Sequence, residues 1–309
     1  MEMAETTAGT GTRASQAPDF RTRMQVWLPK LVLAPSFVTT ILFVYGFIAF
    51  TVVLSFTNSR LLPSFDEWVG FENYSKLFRL SHWDIAMTNL FVFGSLYILI
   101  CTLIGLTLAI LLDQKIRAEG LIRPIFLYPM ALSFIVTGVA WKWFLDPGIG
   151  LEAVVQGWGW ESFKMGWIKD RDMAIYTVVI AAVWQSSGFT MAMFLAGLRG
   201  IDSEILKAAQ MDGASTFQMY RRIIIPQLRP AFLSALVILA HLAIKSYDLV
   251  VALTGGGPGR ATELPATFMF SYTFTRNQMG IGASSAVIML MTVAAIMVPY
   301  LYAELREKK

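Results

Sequence analysis

Six apolar runs, each about long enough to cross a bilayer, leave this chain very little choice of fold. They cover approximately Leu31 to Phe56, Met87 to Leu112, Arg123 to Leu145, Ala174 to Leu198, Ala231 to Leu253 and Ile281 to Tyr302. A helix needs roughly 20 residues to cross about 30 Å of hydrocarbon. Backbone groups in lipid must be satisfied within their own segment, so each run is expected to be helical. The composition agrees: 309 residues, 56% hydrophobic and 15% charged, with a mean hydropathy of +0.57, are too apolar for a soluble domain of this size. The expected fold is all-α, a polytopic membrane protein with six transmembrane helices.

The chain is basic, with a net charge of +4 and a pI of about 9.1. In a polytopic protein this reflects basic cytoplasmic loops rather than nucleic-acid binding. With the N-terminus inside, the cytoplasmic segments carry 15 Lys and Arg, including Lys115, Arg117, Arg221, Arg222, Lys308 and Lys309, against 9 on the outer segments. The positive-inside rule therefore puts both termini and the loop 201–230 in the cytoplasm. Residues 1–30 are expected to form a cytoplasmic tail, disordered to about Met24, and residues 31–309 the transmembrane domain. The tail does not read as a signal peptide, because the first apolar run is too long for one and no small-residue cleavage site follows it. The single cysteine, Cys101, lies within an apolar run and offers neither a disulfide nor a metal cluster.

The loop 201–230, IDSEILKAAQMDGASTFQMYRRIIIPQLRP, carries strong helix signals without a membrane-length apolar run. Asp202 is placed to cap a helix whose first turn holds Glu204, and Gly213 stands where a C-terminal cap belongs. Ile205, Ala208, Ala209 and Asp212 recur at helical spacing and give one small, nearly flat face. Ser215 and Gln218 are spaced as a capping box that opens a second short helix bearing Tyr220, Arg221 and Arg222, which Pro226 and Pro230 are expected to stop. Two helices hinged at a glycine suit docking of a partner; an ordinary amphipathic interfacial loop is the other reading.

The order Lys207-Ala208-Ala209, three residues, Gly213, nine residues, Ile223, one residue, Ile225-Pro226 resembles the EAA loop of ABC importer membrane subunits. Lys207 stands where that family usually has glutamate, and Ile225 replaces a leucine; Glu204, one turn earlier, can supply the missing carboxylate. The resemblance implies that Glu204, Lys207, Ala208, Ala209, Asp212, Gly213, Ala214, Ile223 and Pro226 meet an ATPase subunit. It extends to the six spans and to the outer segment Thr254-Gly255-Gly256-Gly257-Pro258-Gly259 after Tyr247-Asp248, which is similar to one in sugar-type permeases. The fold implied is type I ABC importer-like.

Within the fifth run, His241, Lys245 and Asp248 fall at i, i+4 and i+7 and are expected to form one polar stripe facing the bundle. Mutual pairing of Lys245 with Asp248 is the alternative. Gln185, Ser186 and Ser187 of the fourth run offer a facing polar patch, or simple helix packing. The family takes its solute contacts largely from these two spans, so Gln185, Ser186, Phe189, His241, Lys245, Ser246, Tyr247 and Asp248 are the candidates for the route. Amide, hydroxyl and aromatic groups suit a sugar, and the Lys245 cation suits an anionic sugar derivative. Trp68, Trp83, Trp158, Trp160 and Trp167 read as interfacial anchors and as packing within compact outer loops, and His82 as a loop residue.

The resemblance implies a membrane subunit of a binding-protein-dependent carbohydrate importer in the bacterial inner membrane, similar to the maltose and glycerol-phosphate permease subunits. Its implied partners are a second homologous permease subunit, two ATPase subunits, a periplasmic solute-binding protein, a sugar or sugar-derivative solute and membrane lipids. No G-x-x-x-x-G-K-[ST] occurs in the chain. It is therefore expected to have no catalytic site, metal or cofactor of its own, with ATP and Mg2+ held by the ATPase subunits. The rival class, an ion-gradient-driven secondary transporter, calls for midplane ion sites in two repeated halves, and no such repeat is visible.

Overall fold

The computed structural model describes residues 20–114, 116 and 119–307. Most of the expected tail, residues 1–19, thus lies outside the described residues, as do Lys115, Arg117, Lys308 and Lys309 of the inner basic set. Two units are distinguished, 1–50 and 51–309. In the first, the helix begins at Phe20, inside the segment expected to be tail, runs to Thr40, widens into a π-turn at Ile41–Tyr45 and resumes at Gly46. Leu31 to Ser55 carries no Asp, Glu, Lys or Arg, so a helix once nucleated there in lipid has no charged interruption.

The second unit is a helical bundle whose only strand-like pairing among the described residues is one isolated bridge, Thr57 with Trp68. Its centre is the fourth span, Ala174–Arg199, packed along the second, Ser81–Asp113. Small residues permit that closeness. At Gly188 a Cβ would stand 1.8 Å from the Phe126 carbonyl oxygen, so only glycine lets the third span pass there. Three apolar clusters fill the bundle. One joins Phe93, Tyr97, Val178, Ala182, Leu239 and Leu253; a second joins Ala109, Met191, Phe194, Ile224 and Leu228; the third joins Leu77, Trp83, Ala86 and Phe268.

Four expectations are corrected here. Among the described residues four helices are long and apolar enough to cross a membrane unbroken, and two bent pairs, Glu119–Ala131 with Phe134–Phe144 and Thr216–Gln227 with Arg229–Ile244, are so only when each is taken together. The third span divides into Glu119–Ala131 and Phe134–Phe144, at 100° to each other. Ser133 restarts the helix by accepting a hydrogen bond from the Val136 amide at 3.3 Å, and the Leu132 carbonyl at the break accepts one from Gln185 Nε2 at 2.8 Å. Broken backbone survives at membrane depth only where such partners exist. The fifth span runs Arg229–Ile244, breaks at Lys245, Ser246 and Tyr247, and resumes as Asp248–Leu253. His241, Lys245 and Asp248 are therefore not a stripe on one continuous helix. Trp83, expected as an interfacial anchor, is 1% exposed in the first turn of the second span, its ring edge-on to Phe268 at 5.2 Å. The neighbouring His82 is helical too and lies 3.2 Å from the Tyr272 hydroxyl.

Candidate coupling loop and solute route

The fourth span ends at Arg199, whose guanidinium holds Glu119 at 2.6 Å and lies 3.9 Å from Asp113. One cation thereby ties the end of the second span, the start of the third and the end of the fourth, a contact that no local sequence spacing announces. Beyond it the helix Ser203–Met211 is capped by Asp202, whose carboxylate accepts from the Glu204 amide at 2.9 Å. It closes in a full Schellman arrangement: the Ala214 amide donates to the Ala209 carbonyl at 3.0 Å and the Gly213 amide to Gln210 at 3.1 Å, with Gly213 at φ +79°. The chain then restarts through the capping box, Gln218 amide to Ser215 Oγ at 3.3 Å and Ser215 amide to Gln218 Oε1 at 2.9 Å. These local devices stand where the residue spacing put them.

The prolines behave differently from expectation. Helix persists from Thr216 through Gln227, with a π-turn at Tyr220–Ile224 immediately before Pro226. The wider turn lets the Ile225 amide reach back five residues to the Tyr220 carbonyl, which relieves the crowding a proline ring imposes on the preceding turn. Pro230 falls in the first turn of the fifth span, where its missing N–H costs nothing. A 60° bend at Leu228 joins the loop to that span, and Leu228 is buried in the second apolar cluster. The loop thus runs directly into the fifth span through a buried residue.

No residue of Ser203–Met211 is buried. Ile205, Met211 and Phe217 are open, the last two 89% and 72% exposed, and they form an apolar surface that this chain leaves uncovered. Ala208 and Asp212 are exposed, Ala209, Ala214 and Ile223 half-buried, and Pro226 exposed at the rim. Lys207 Nζ pairs with Glu204 Oε1 at 2.9 Å, both in solvent, so the lysine that replaces the expected glutamate is neutralised within its own helix.

The solute candidates separate into two groups. Lys245, Ser246, Tyr247 and Asp248 come together at the break in the fifth span, around a crevice of about 100 Å³ that Phe134, the first residue after the break in the third span, also lines. Two broken helices therefore meet at one place, an arrangement that frees backbone and polar side chains for a solute. No ion pair joins Lys245 to Asp248 among the described residues, and both side chains are exposed. Gln185 and Ser186 lie apart, buried within the bundle: Gln185 holds the Leu132 carbonyl, and Ser186 accepts from the Tyr97 hydroxyl at 2.7 Å. Phe189 is half-buried, and His241 is exposed one turn before the break.

Residues 102–307 match the family model described as binding-protein-dependent transport system inner membrane component. This chain belongs to that family. The permease is 41% identical over 280 residues to a probable ABC transporter permease protein of Pyrococcus horikoshii, covering 88% of this chain and 94% of that one. It is 34% identical over 274 residues to the xylose/arabinose import permease protein of Haloferax volcanii, covering 88% and 86%. Its fold is that of a type I ABC importer permease. A chain from the crystal structure of a bacterial ABC transporter involved in the import of the acidic polysaccharide alginate superposes with a TM-score of 0.80 at 18% identity, over 94% of this permease and 99% of that chain. Membership of the family sets aside the ion-gradient-driven alternative.

Proposed function

We propose that this permease forms half of the membrane path of a carbohydrate importer. It works with a second homologous permease subunit, two ATPase subunits that hold ATP and Mg2+, and a solute-binding protein on the outer side. Both termini and the loop 201–230 face the cytoplasm, as the distribution of Lys and Arg supports. The observation that carries the coupling role is the glycine-hinged pair of helices with Ile205, Met211 and Phe217 uncovered, continuous through Leu228 with the fifth span. An ATPase that covers this surface transmits its closure to the span that holds Lys245 and Tyr247. The import of xylose and arabinose named for the Haloferax relative supports a sugar as solute.

A second reading concerns the charge of that solute. Lys245 is exposed at the break and has no ion-pair partner among the described residues, which suits a sugar derivative bearing a carboxylate or phosphate. The test of the function is uptake by the purified complete importer in liposomes. Accumulation that requires ATP on the ATPase side and the binding protein on the other supports the reading; accumulation that follows an imposed ion gradient without ATP contradicts it.

A further inference from the structure

Outside the crevice at Lys245, a second cavity of about 390 Å³ lies between Tyr247, the glycine-rich loop and the helical segment that begins at Pro265. That volume is within the roughly 300–1,000 Å³ of small-molecule sites. Its walls combine an aromatic corner with a charged pair. The rings of Tyr247 and Phe270 stand 4.9 Å apart and tilted by 42°. Across from them are Arg260 and Glu263, whose Nε and Oε2 are 3.9 Å apart, too far for a hydrogen bond. Arg260 Nη1 and Glu263 Oε2 are both buried and have no hydrogen-bond partner among the described residues. Buried groups in that state cost free energy. Arg260 also holds φ +75°, a left-handed conformation uncommon for arginine.

We propose that this cavity is a solute subsite for a neutral polyhydroxylated ring, with one hydroxyl, or two on adjacent carbons, bridging Arg260 and Glu263 and the ring's C–H face lying on Tyr247 and Phe270. The chemistry selects among ligand classes. A hydroxyl accepts from the guanidinium and donates to the carboxylate, and so matches both groups at once. An anion satisfies Arg260 but is repelled by Glu263, and a cation the reverse. Burial also pushes the Glu263 carboxyl above its usual range, against the opposing pull of Arg260 and Arg276, as an acceptor short of donors should behave. The inference rests on the carbohydrate reading above and narrows it to neutral sugars at this point of the route.

The test is uptake by the complete importer in liposomes of labelled xylose, glucose, maltose and trehalose, with glycerol 3-phosphate as the anionic comparison. The expected result is that a neutral sugar is carried, and that Glu263→Gln and Arg260→Gln each raise its uptake KM tenfold or more. A deoxy analogue lacking the bridging hydroxyl should lose as much in the unaltered protein and nothing further in Glu263→Gln, because the same contact is removed twice. Phe270→Leu, at a half-exposed site that leaves the buried pair untouched, should raise KM too, and it keeps the test valid if a pair variant fails to assemble. Unchanged KM in the variants, or deoxy losses that add to theirs, overturns the subsite while sugar import stands. Preference for glycerol 3-phosphate overturns the subsite's neutrality, and no uptake of any sugar by a complex that hydrolyses ATP overturns the carbohydrate reading with it.

Discussion

Replacement of Gly213 isolates backbone conformation from every other effect. At φ +79° a Cβ would meet no atom within 4 Å, so a side chain here clashes with nothing beyond its own backbone. The penalty is that of an L-residue in the left-handed region, about 1–2 kcal/mol, and larger for a β-branched side chain. Ser203–Met211 has only nine residues and no buried side chain to offset such a loss, so the penalty falls on the hinged geometry itself. A penalty of 1–2 kcal/mol lowers the population of the hinge by a factor of about 5–30. Gly213→Asn should be close to the unaltered protein, because asparagine visits this region readily; Gly213→Ala should be impaired and Gly213→Val most. The assay is ATP hydrolysis stimulated by the binding protein, together with uptake, in liposomes containing the assembled complex, with complex yield scored separately. The order Asn, Ala, Val with yield constant supports the argument. Full stimulated hydrolysis and uptake in Gly213→Val refutes it.

Other substitutions probe the neighbouring claims. Lys245→Met should leave assembly intact, because Lys245 makes no ion pair with Asp248; if assembly falls and is restored by adding Asp248→Leu, the two residues serve each other and not the solute. Gln185→Leu removes the donor that holds the Leu132 carbonyl at the break, and should lower the stability of the solubilised complex by about 1 kcal/mol, read as a fall in melting temperature. No change there would mean that the third span keeps its bend without this contact. The exposed Lys207–Glu204 pair is worth about 0–1 kcal/mol to the fold, so reversing either charge should leave assembly alone and alter stimulated ATP hydrolysis; unaltered hydrolysis in both marks this helix face as merely solvated.

What could be read from the residues was what local spacing controls. The Asp202 cap, the Gly213 turn and the Ser215–Gln218 box each depend on atoms within a few positions, and each formed where the residue types required. The broken spans were hidden because their breaks depend on partners distant in sequence. Nothing within Leu132-Ser133 or Lys245-Ser246-Tyr247 forbids a helix, and it is Gln185, some fifty positions away, that supports the first break. Pro226 misled for a related reason, since a π-turn that absorbs a proline has no signature in residue type. Trp83 belongs to the core because Phe268, in the helical segment Pro265–Phe270 far along the chain, packs on it. The Arg260–Glu263 pair lies just beyond the glycine-rich segment, and its only local signal is two opposite charges three positions apart.

The central claim, that the loop 201–230 is where an ATPase subunit engages this permease, is tested most directly by a cross-link from that surface. Cys101 is the chain's only cysteine and is buried, so Ala208→Cys introduces a single accessible thiol on the exposed helix. In membranes containing the assembled importer, a short thiol-to-amine cross-linker should join Ala208→Cys to the ATPase subunit, with a yield that changes between nucleotide-free and ATP-bound states. A thiol that reacts freely with a water-soluble maleimide in the assembled complex, in every nucleotide state and without a cross-linked product, would contradict the claim.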